Sequence, residues 1–79
     1  MNDLVLYYSP GCPYCLNVLR FMENRGIEIE LRNTMDYENQ DTLISVGKKN
    51  QVPCLFIEGE PLYESTDIMA YLAKRFDCR

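Results

Sequence analysis

The chain contains no histidine and no tryptophan, and none of its apolar runs is long. Without histidine there is no His-based catalytic triad and no imidazole metal ligand. A c-type haem attachment would need histidine at position 16, where Leu16 stands. No apolar stretch approaches the roughly 20 residues that span a bilayer, so a membrane is not an expected partner. Met1-Asn2-Asp3 has no basic region followed by an apolar run, as an export signal has, and the expectation is a cytoplasmic location. Positive charge is also scarce: 8 basic residues face 12 acidic ones, for a formal net charge of −4. Apart from Lys48-Lys49 and Lys74-Arg75 the basic residues are scattered. Phosphate backbones want a concentrated basic face, so nucleic acid is excluded as an expected partner. There are no repeats, low-complexity tracts or linkers. A chain of 79 residues with 47% hydrophobic content is expected to form one domain over residues 1–79, acting as a monomer. Such a chain buries about 60–65% of its unfolded surface, enough for modest stability.

What is present in useful number is cysteine, four in all. In a chain without an export signal, four cysteines point to redox or metal chemistry in a reducing compartment rather than a secreted disulfide scaffold. Two of them lie in Cys12-Pro13-Tyr14-Cys15, where a short apolar segment (Leu4, Val5, Leu6, Tyr7, Tyr8) passes through Ser9-Pro10-Gly11 into helical spacing. Proline suits the first helical position, because its missing N–H would have no intrahelical partner there. Cys12 is then the N-cap, and the amides of Tyr14 and Cys15 point back toward its sulfur.

An ordinary thiol with pKa about 8.5 is only roughly 3% thiolate at pH 7. A charge at a helix N-terminus gains on the order of 0.3–2 kcal/mol, which lowers the pKa by about 0.2–1.5 units. Cys12 is therefore a candidate nucleophile, and Cys15, one turn inside, is expected to keep a higher pKa and resolve. Two helical residues at i, i+3 fall within the ~4.4–6.8 Å Cα separation that a disulfide accepts. A zinc site would need two further ligands. Only Cys54 and Cys78 remain, and they form no second pair of the same spacing. Cys54 is expected to fill the core, and Cys78 to have no role.

The rest of the chain reads as alternating strands and helices. Cys15, Val18, Leu19 and Met22 form a core-facing stripe, with Gly26 as its stop. Residues 27–32 alternate, with Ile27, Ile29 and Leu31 inward, as in a half-buried strand. A helix is predicted over residues 36–46, with Leu43, Ile44 and Val46 as apolar contacts and Gly47 ending it. Val52-Pro53 opens a strand at Cys54-Leu55-Phe56-Ile57, and Glu58-Gly59-Glu60 turns it into a short strand at residues 61–63. Ser65 or Thr66 caps a last helix with the stripe Ile68, Tyr71, Leu72, Phe76. The order β-α-β-α-β-β-α predicts an α/β fold, a four-stranded mixed sheet with three helices. Its first two strands are parallel through a right-handed crossover.

Cys-Pro-Tyr-Cys at the first strand-to-helix junction, with Val52-Pro53 about forty residues later, resembles the glutaredoxin branch of the thioredoxin-like fold over essentially the whole chain. The Glu64-Ser65 pair is more similar to the N-terminal domain of glutathione transferases. Gln51-Val52-Pro53 is similar to the transferase-like glutaredoxins. The resemblance implies a cis Val52–Pro53 bond and a glutathione site built from Tyr14, Gln51, Val52, Pro53, Glu64, Ser65, Thr66 and Asp67, with Cys12 and Cys15 catalytic. Physical chemistry agrees at one end: a helix N-terminus at Ser65 and Thr66 suits a carboxylate, and Glu64 or Asp67 suits an ammonium. Many glutaredoxins carry Lys or Arg just before the first cysteine. Here Tyr8, Ser9, Pro10 and Gly11 are uncharged, and Lys48 or Lys49 is expected to supply that charge.

The implied activity is glutathione-dependent reduction of protein–glutathione mixed disulfides and protein disulfides. The implied role is in electron transport and cell redox homeostasis. Glutathione is the cosubstrate, no cofactor or metal is bound, and the partners are disulfide-bonded or glutathionylated proteins. Two alternatives come from the same resemblance. A transferase-like domain would conjugate glutathione to electrophiles, which is disfavoured because transferases append a helical domain and the sequence ends at Arg79. A carrier of a glutathione-ligated [2Fe–2S] cluster would use thiolates like Cys12, and is disfavoured by the stiff, crowded Pro13-Tyr14.

Overall fold

A computed structural model of the chain describes residues 4–49 and 51–76. Along it run β1 (Leu4–Tyr8), α1 (Pro13–Arg25), β2 (Glu30–Asn33), α2 (Tyr37–Gly47), β3 (Cys54–Ile57), β4 (Glu60–Leu62) and α3 (Ser65–Phe76). The sheet order is β2-β1-β3-β4, with β1 parallel to β2 and antiparallel to β3, and β3 antiparallel to β4. This is the predicted mixed α/β architecture. Among the described residues no helix is long and apolar enough to cross a membrane.

Strand alternation sorts the central strands onto two faces. Leu4, Leu6 and Leu55 meet Val18 and Met22 of α1 and Ile68 and Leu72 of α3 in one core cluster. On the opposite face Tyr7, Cys54 and Phe56 meet Leu43 of α2, and the Tyr7 and Phe56 rings pack edge to face at 5.1 Å. The side chains that bury most completely are those whose spacing predicted it. Cys54 is among them, as a core residue.

Several boundaries differ from expectation, each for a local reason. Gly26 takes the left-handed conformation at φ 67° and stops α1, with its N–H on the Glu23 carbonyl and the Ile27 N–H on the Met22 carbonyl. That last bond commits Ile27 to the helix end, so β2 starts at Glu30 rather than at residue 27. Ile27 is still buried, but Leu31, expected inward, is 44% exposed because β2 is a sheet edge. In α2 only Leu43 and Gly47 turn inward. Ile44 and Val46, expected as core contacts, are 43% and 49% exposed, since they sit off that i, i+4 line. Gly47 does not end α2 by a positive φ. It lies in the last turn, and Lys48 takes the left-handed position at φ 66°.

The β3–β4 turn is the two residues Glu58 and Gly59, both at positive φ, so Glu60 already belongs to β4. At α3 the helix begins at Ser65 itself. The Glu64 carbonyl accepts its first bond, from the Ile68 N–H at 2.9 Å, so Glu64 rather than Ser65 or Thr66 stands at the cap position. Phe76, at the other end of the predicted stripe, is mostly outside the core, while Tyr71 packs against it.

Candidate functional site

Cys12 has the extended backbone of an N-cap, at φ −98° and ψ 119°, and Pro13 opens α1 behind it. Its N–H donates to the Ser9 carbonyl at 3.1 Å and its carbonyl accepts from Leu16 at 3.1 Å, which fixes the turn that presents the thiol. As a neutral thiol its sulfur closes no cap hydrogen bond. Burial works to raise its pKa, but the Cys15 N–H, the Cys15 thiol and the Tyr14 N–H all stabilise a thiolate. The balance lies below the ordinary cysteine value. Cys12 is partly exposed, as an attacking group must be.

Cys15 is the opposite case. It is fully buried, and burial, together with the neighbouring Cys12 sulfur, pushes its thiol up to about 11 against the opposing pull of the Ser9 N–H. That N–H donates to Cys15 Sγ at 3.4 Å. The two thiols are thus shifted in opposite directions, Cys12 toward the thiolate and Cys15 toward the neutral thiol.

A groove of about 410 Å³ is lined by Tyr14, Gln51, Val52, Pro53, Tyr63, Glu64 and Ser65; neither Cys12 nor Cys15 lines it, and Tyr14, which lies between them in sequence, joins it to the turn that carries them. Tyr14, two positions after Cys12, is 63% exposed. The Val52–Pro53 bond is cis, as the resemblance implied. Glu64 and Ser65 come from the start of α3, whose first N–H groups have no acceptor within the helix. The structure thus brings together the sequence-derived candidates Tyr14, Gln51, Val52, Pro53, Glu64 and Ser65. Thr66 and Asp67 lie in the first turn of α3, both exposed, and do not line the groove. Cys78 lies outside the described residues.

Sequence reasoning missed Tyr63 as a groove residue. The available signal was an aromatic directly before Glu64-Ser65. Its hydroxyl donates to the Gly47 carbonyl oxygen at 2.5 Å, and Lys49 Nζ stands 4.9 Å from its ring centroid. Of the two lysines expected to bring charge to the groove, Lys49 is thus the one beside a lining residue. Lys48 serves the C-cap of α2. Behind the groove, burial pushes the Cys54 thiol up to about 11, against the opposing influence of the nearby Leu62 N–H and Tyr63 hydroxyl, which would favour a thiolate. It is a poor nucleophile at neutral pH.

Residues 6–79 match the family described as glutathione S-transferase, N-terminal domain. Glutathione S-transferase D7 of Anopheles gambiae is 35% identical over 75 residues, covering 91% of this chain and 34% of that protein. Glutaredoxin of Haemophilus influenzae is 30% identical over 84 residues, covering 92% of this chain and 93% of that one. Among solved structures, glutathione transferase Omega 3C from Trametes versicolor superposes with a TM-score of 0.82 at 26% identity, over 99% of this chain and 34% of that one. The chain thus spans about a third of each transferase and nearly all of this glutaredoxin.

Proposed function

Since the chain belongs to the thioredoxin-like family of glutaredoxins and glutathione transferase N-terminal domains, we propose that it is a glutathione-dependent thiol–disulfide oxidoreductase. The observation that carries this reading is the opposed ionisation of the two thiols on either side of Tyr14 in sequence: Cys12 lowered, Cys15 raised to about 11. A thiolate, not a thiol, attacks disulfide sulfur.

On a protein–glutathione mixed disulfide, the Cys12 thiolate attacks the glutathione sulfur. The old S–S bond breaks, and the protein leaves as a thiolate that takes up a proton. A glutathione thiolate then attacks the Cys12–glutathione disulfide at the glutathione sulfur. This releases glutathione disulfide and restores the Cys12 thiolate. On a protein disulfide, Cys12 first forms a mixed disulfide with one sulfur and the other leaves. Cys15 then gives up its proton and attacks Cys12 Sγ, leaving Cys12–Cys15 oxidised and the substrate reduced. Loss of the Cys12 negative charge in the mixed disulfide removes one of the causes that hold the Cys15 pKa up, so the resolving thiol becomes easier to ionise when it is needed.

Glutathione lies along the groove on this reading. Its γ-glutamyl carboxylate faces the free N–H groups that open α3 at Ser65, its ammonium faces Glu64, and its cysteinyl backbone pairs with the Val52 main chain. Gln51, Pro53 and Tyr14 shape the walls. The protein works as a single domain and monomer in a reducing cytoplasm, on glutathionylated or disulfide-bonded proteins, with no bound cofactor. The test is reduction of a glutathionylated substrate coupled to glutathione turnover. Cys12→Ser is expected to abolish it and Cys15→Ser to spare it, whereas equal loss from both would overturn the division of labour.

The Glu64-Ser65 pair and the match to Glutathione S-transferase D7 favour a second reading, conjugation of glutathione to electrophiles. A chromogenic electrophile separates the two. Conjugation at rates rivalling disulfide reduction would place the transferase reading first.

A further inference from the structure

Three contacts converge on Tyr63, the groove residue to which the redox chemistry assigns no part. Its hydroxyl is tied to the Gly47 carbonyl oxygen at the end of α2. Its ring lies under the Lys49 ammonium. The same residue lines the groove next to Glu64 and Ser65. The close approach to α2 depends on Gly47, since a Cβ there would come within 2.6 Å of the phenol oxygen.

A lysine side chain loses up to about 2 kcal/mol of rotamer freedom when it is fixed in place. A cation over an aromatic face regains about 0.5–1 kcal/mol at an exposed site. The Tyr63 ring therefore offsets part of the cost of holding Lys49 at one spot, and an anionic end of a ligand would supply the rest. The phenol–Gly47 bond in turn keeps the ring from rotating away and ties it to the chain that carries Lys49, two residues further on.

We propose that Tyr63 is a positioning residue, which holds the Lys49 ammonium at the edge of the groove to meet an anionic end of the bound ligand. The inference rests on the glutathione reading and deepens it. Glutathione has two carboxylates; the γ-glutamyl one is matched to the start of α3, and the glycine carboxylate is the one left for Lys49. Tyr63 would then make the groove discriminate glutathione from a ligand that lacks glycine.

The test is an NMR titration with S-methylglutathione and with S-methyl-γ-glutamylcysteine, which has no glycine. The wild-type protein is expected to prefer the first. Lys49→Met removes that preference, and Tyr63→Leu lowers it by about two- to fivefold, the equivalent of an exposed cation–π contact. Tyr63→Phe keeps the ring and most of the preference. Pentafluorophenylalanine at position 63 keeps the shape but reverses the ring's charge distribution, and is expected to lose what Phe retains. This arm stands even if Tyr63→Leu fails to fold. In the Lys49→Met background none of the changes at 63 alters the ratio further. A ratio unmoved by pentafluorophenylalanine, or moved equally with and without Lys49, overturns the role of Tyr63 alone. A wild-type protein that binds neither ligand overturns the glutathione reading and this inference with it.

Discussion

The Tyr63 hydroxyl lies 2.5 Å from the Gly47 carbonyl oxygen and 2.6 Å from where a side chain on Gly47 would begin. The same phenol is thus both the partner of this residue and the reason it has no side chain. In an open helix, Gly to Ala stabilises by about 1 kcal/mol. Gly47→Ala is expected to do the reverse here, because the new methyl must displace a phenol held by its own hydrogen bond, while it meets Phe56 only at contact distance, 3.4 Å. Overpacking of this kind costs about 1–3 kcal/mol. Removing the phenol oxygen relieves the tightest contact, so Gly47→Ala is expected to be markedly less harmful in a Tyr63→Phe background. Urea unfolding of the four proteins in the cycle measures this. Equal effects of Gly47→Ala in both backgrounds would show that the phenol is not the obstacle.

Lys48, next along, carries the left-handed conformation that glycine adopts at no steric cost. An L side chain there costs roughly 1–2 kcal/mol, against about 0.5–1 kcal/mol for the extra unfolded-state freedom of glycine. Lys48→Gly is expected to stabilise the fold by about 0.5–1 kcal/mol. In a chain of this size that raises Tm by about 2–8 °C. An unchanged or lower Tm would mean that the lysine compensates for its backbone through the α2 C-terminus.

These two neighbours illustrate what was legible in the sequence. A glycine after an apolar helical stretch reads as a stop, and Gly26 is one. Gly47 gave the same signal for a different reason: it needs room rather than a positive φ, and the cause lies sixteen residues away in Tyr63. Local patterns gave the element order, the place of Cys12 at the start of α1 and the burial of Leu6, Val18, Leu55 and Ile68. They could not give the exposure of Leu31, Ile44 and Val46, which depends on sheet edges and on how α2 is rotated over the sheet. At the groove, residue types with an obvious chemistry were found. Tyr63, whose part comes from contacts with Gly47 and Lys49, was not among the candidate site residues.

Burial holds both Cys15 and Cys54 near 11, and this has a consequence for alkaline stability. A thiol whose folded pKa is raised favours the native state below its unfolded pKa, and that advantage is lost as pH rises toward the folded value. The window therefore runs from the ordinary thiol range, about 8.5, up to about 11. For Cys54 the loss is on the order of 3 kcal/mol, at about 1.36 kcal/mol per unit. The lowered Cys12 pKa acts the other way, but its contribution is already complete above the ordinary thiol range. Cys54→Ala is expected to be less stable at pH 7, because it leaves a small void, yet to lose less stability between pH 8.5 and 11 (approximate bounds). Urea midpoints across that range give the slope. A slope unchanged by Cys54→Ala would mean that the thiol does not stay neutral when buried.

For Cys12 the direction is reversed and the consequence is reactivity. Burial opposes its ionisation, so the lowered pKa depends on donors, of which the Cys15 N–H, the Cys15 thiol and the Tyr14 N–H are the contributors. Alkylation by iodoacetamide reports the thiolate directly, and its rate at Cys12 is expected to rise with pH around a midpoint below that of an unstructured cysteine peptide. Cys15→Ala removes the thiol donor but leaves both backbone donors, so the midpoint is expected to move up without reaching the peptide value. Cys15→Ser keeps a donor of similar reach, so its midpoint should stay closer to wild type. The order wild type, Ser, Ala separates the side-chain contribution from the helix start. If all three titrate together below the peptide value, the backbone amides of α1 carry the whole effect. If all three match the peptide, Cys12 has no special ionisation, and the thiolate step that opens the proposed cycle loses its physical basis.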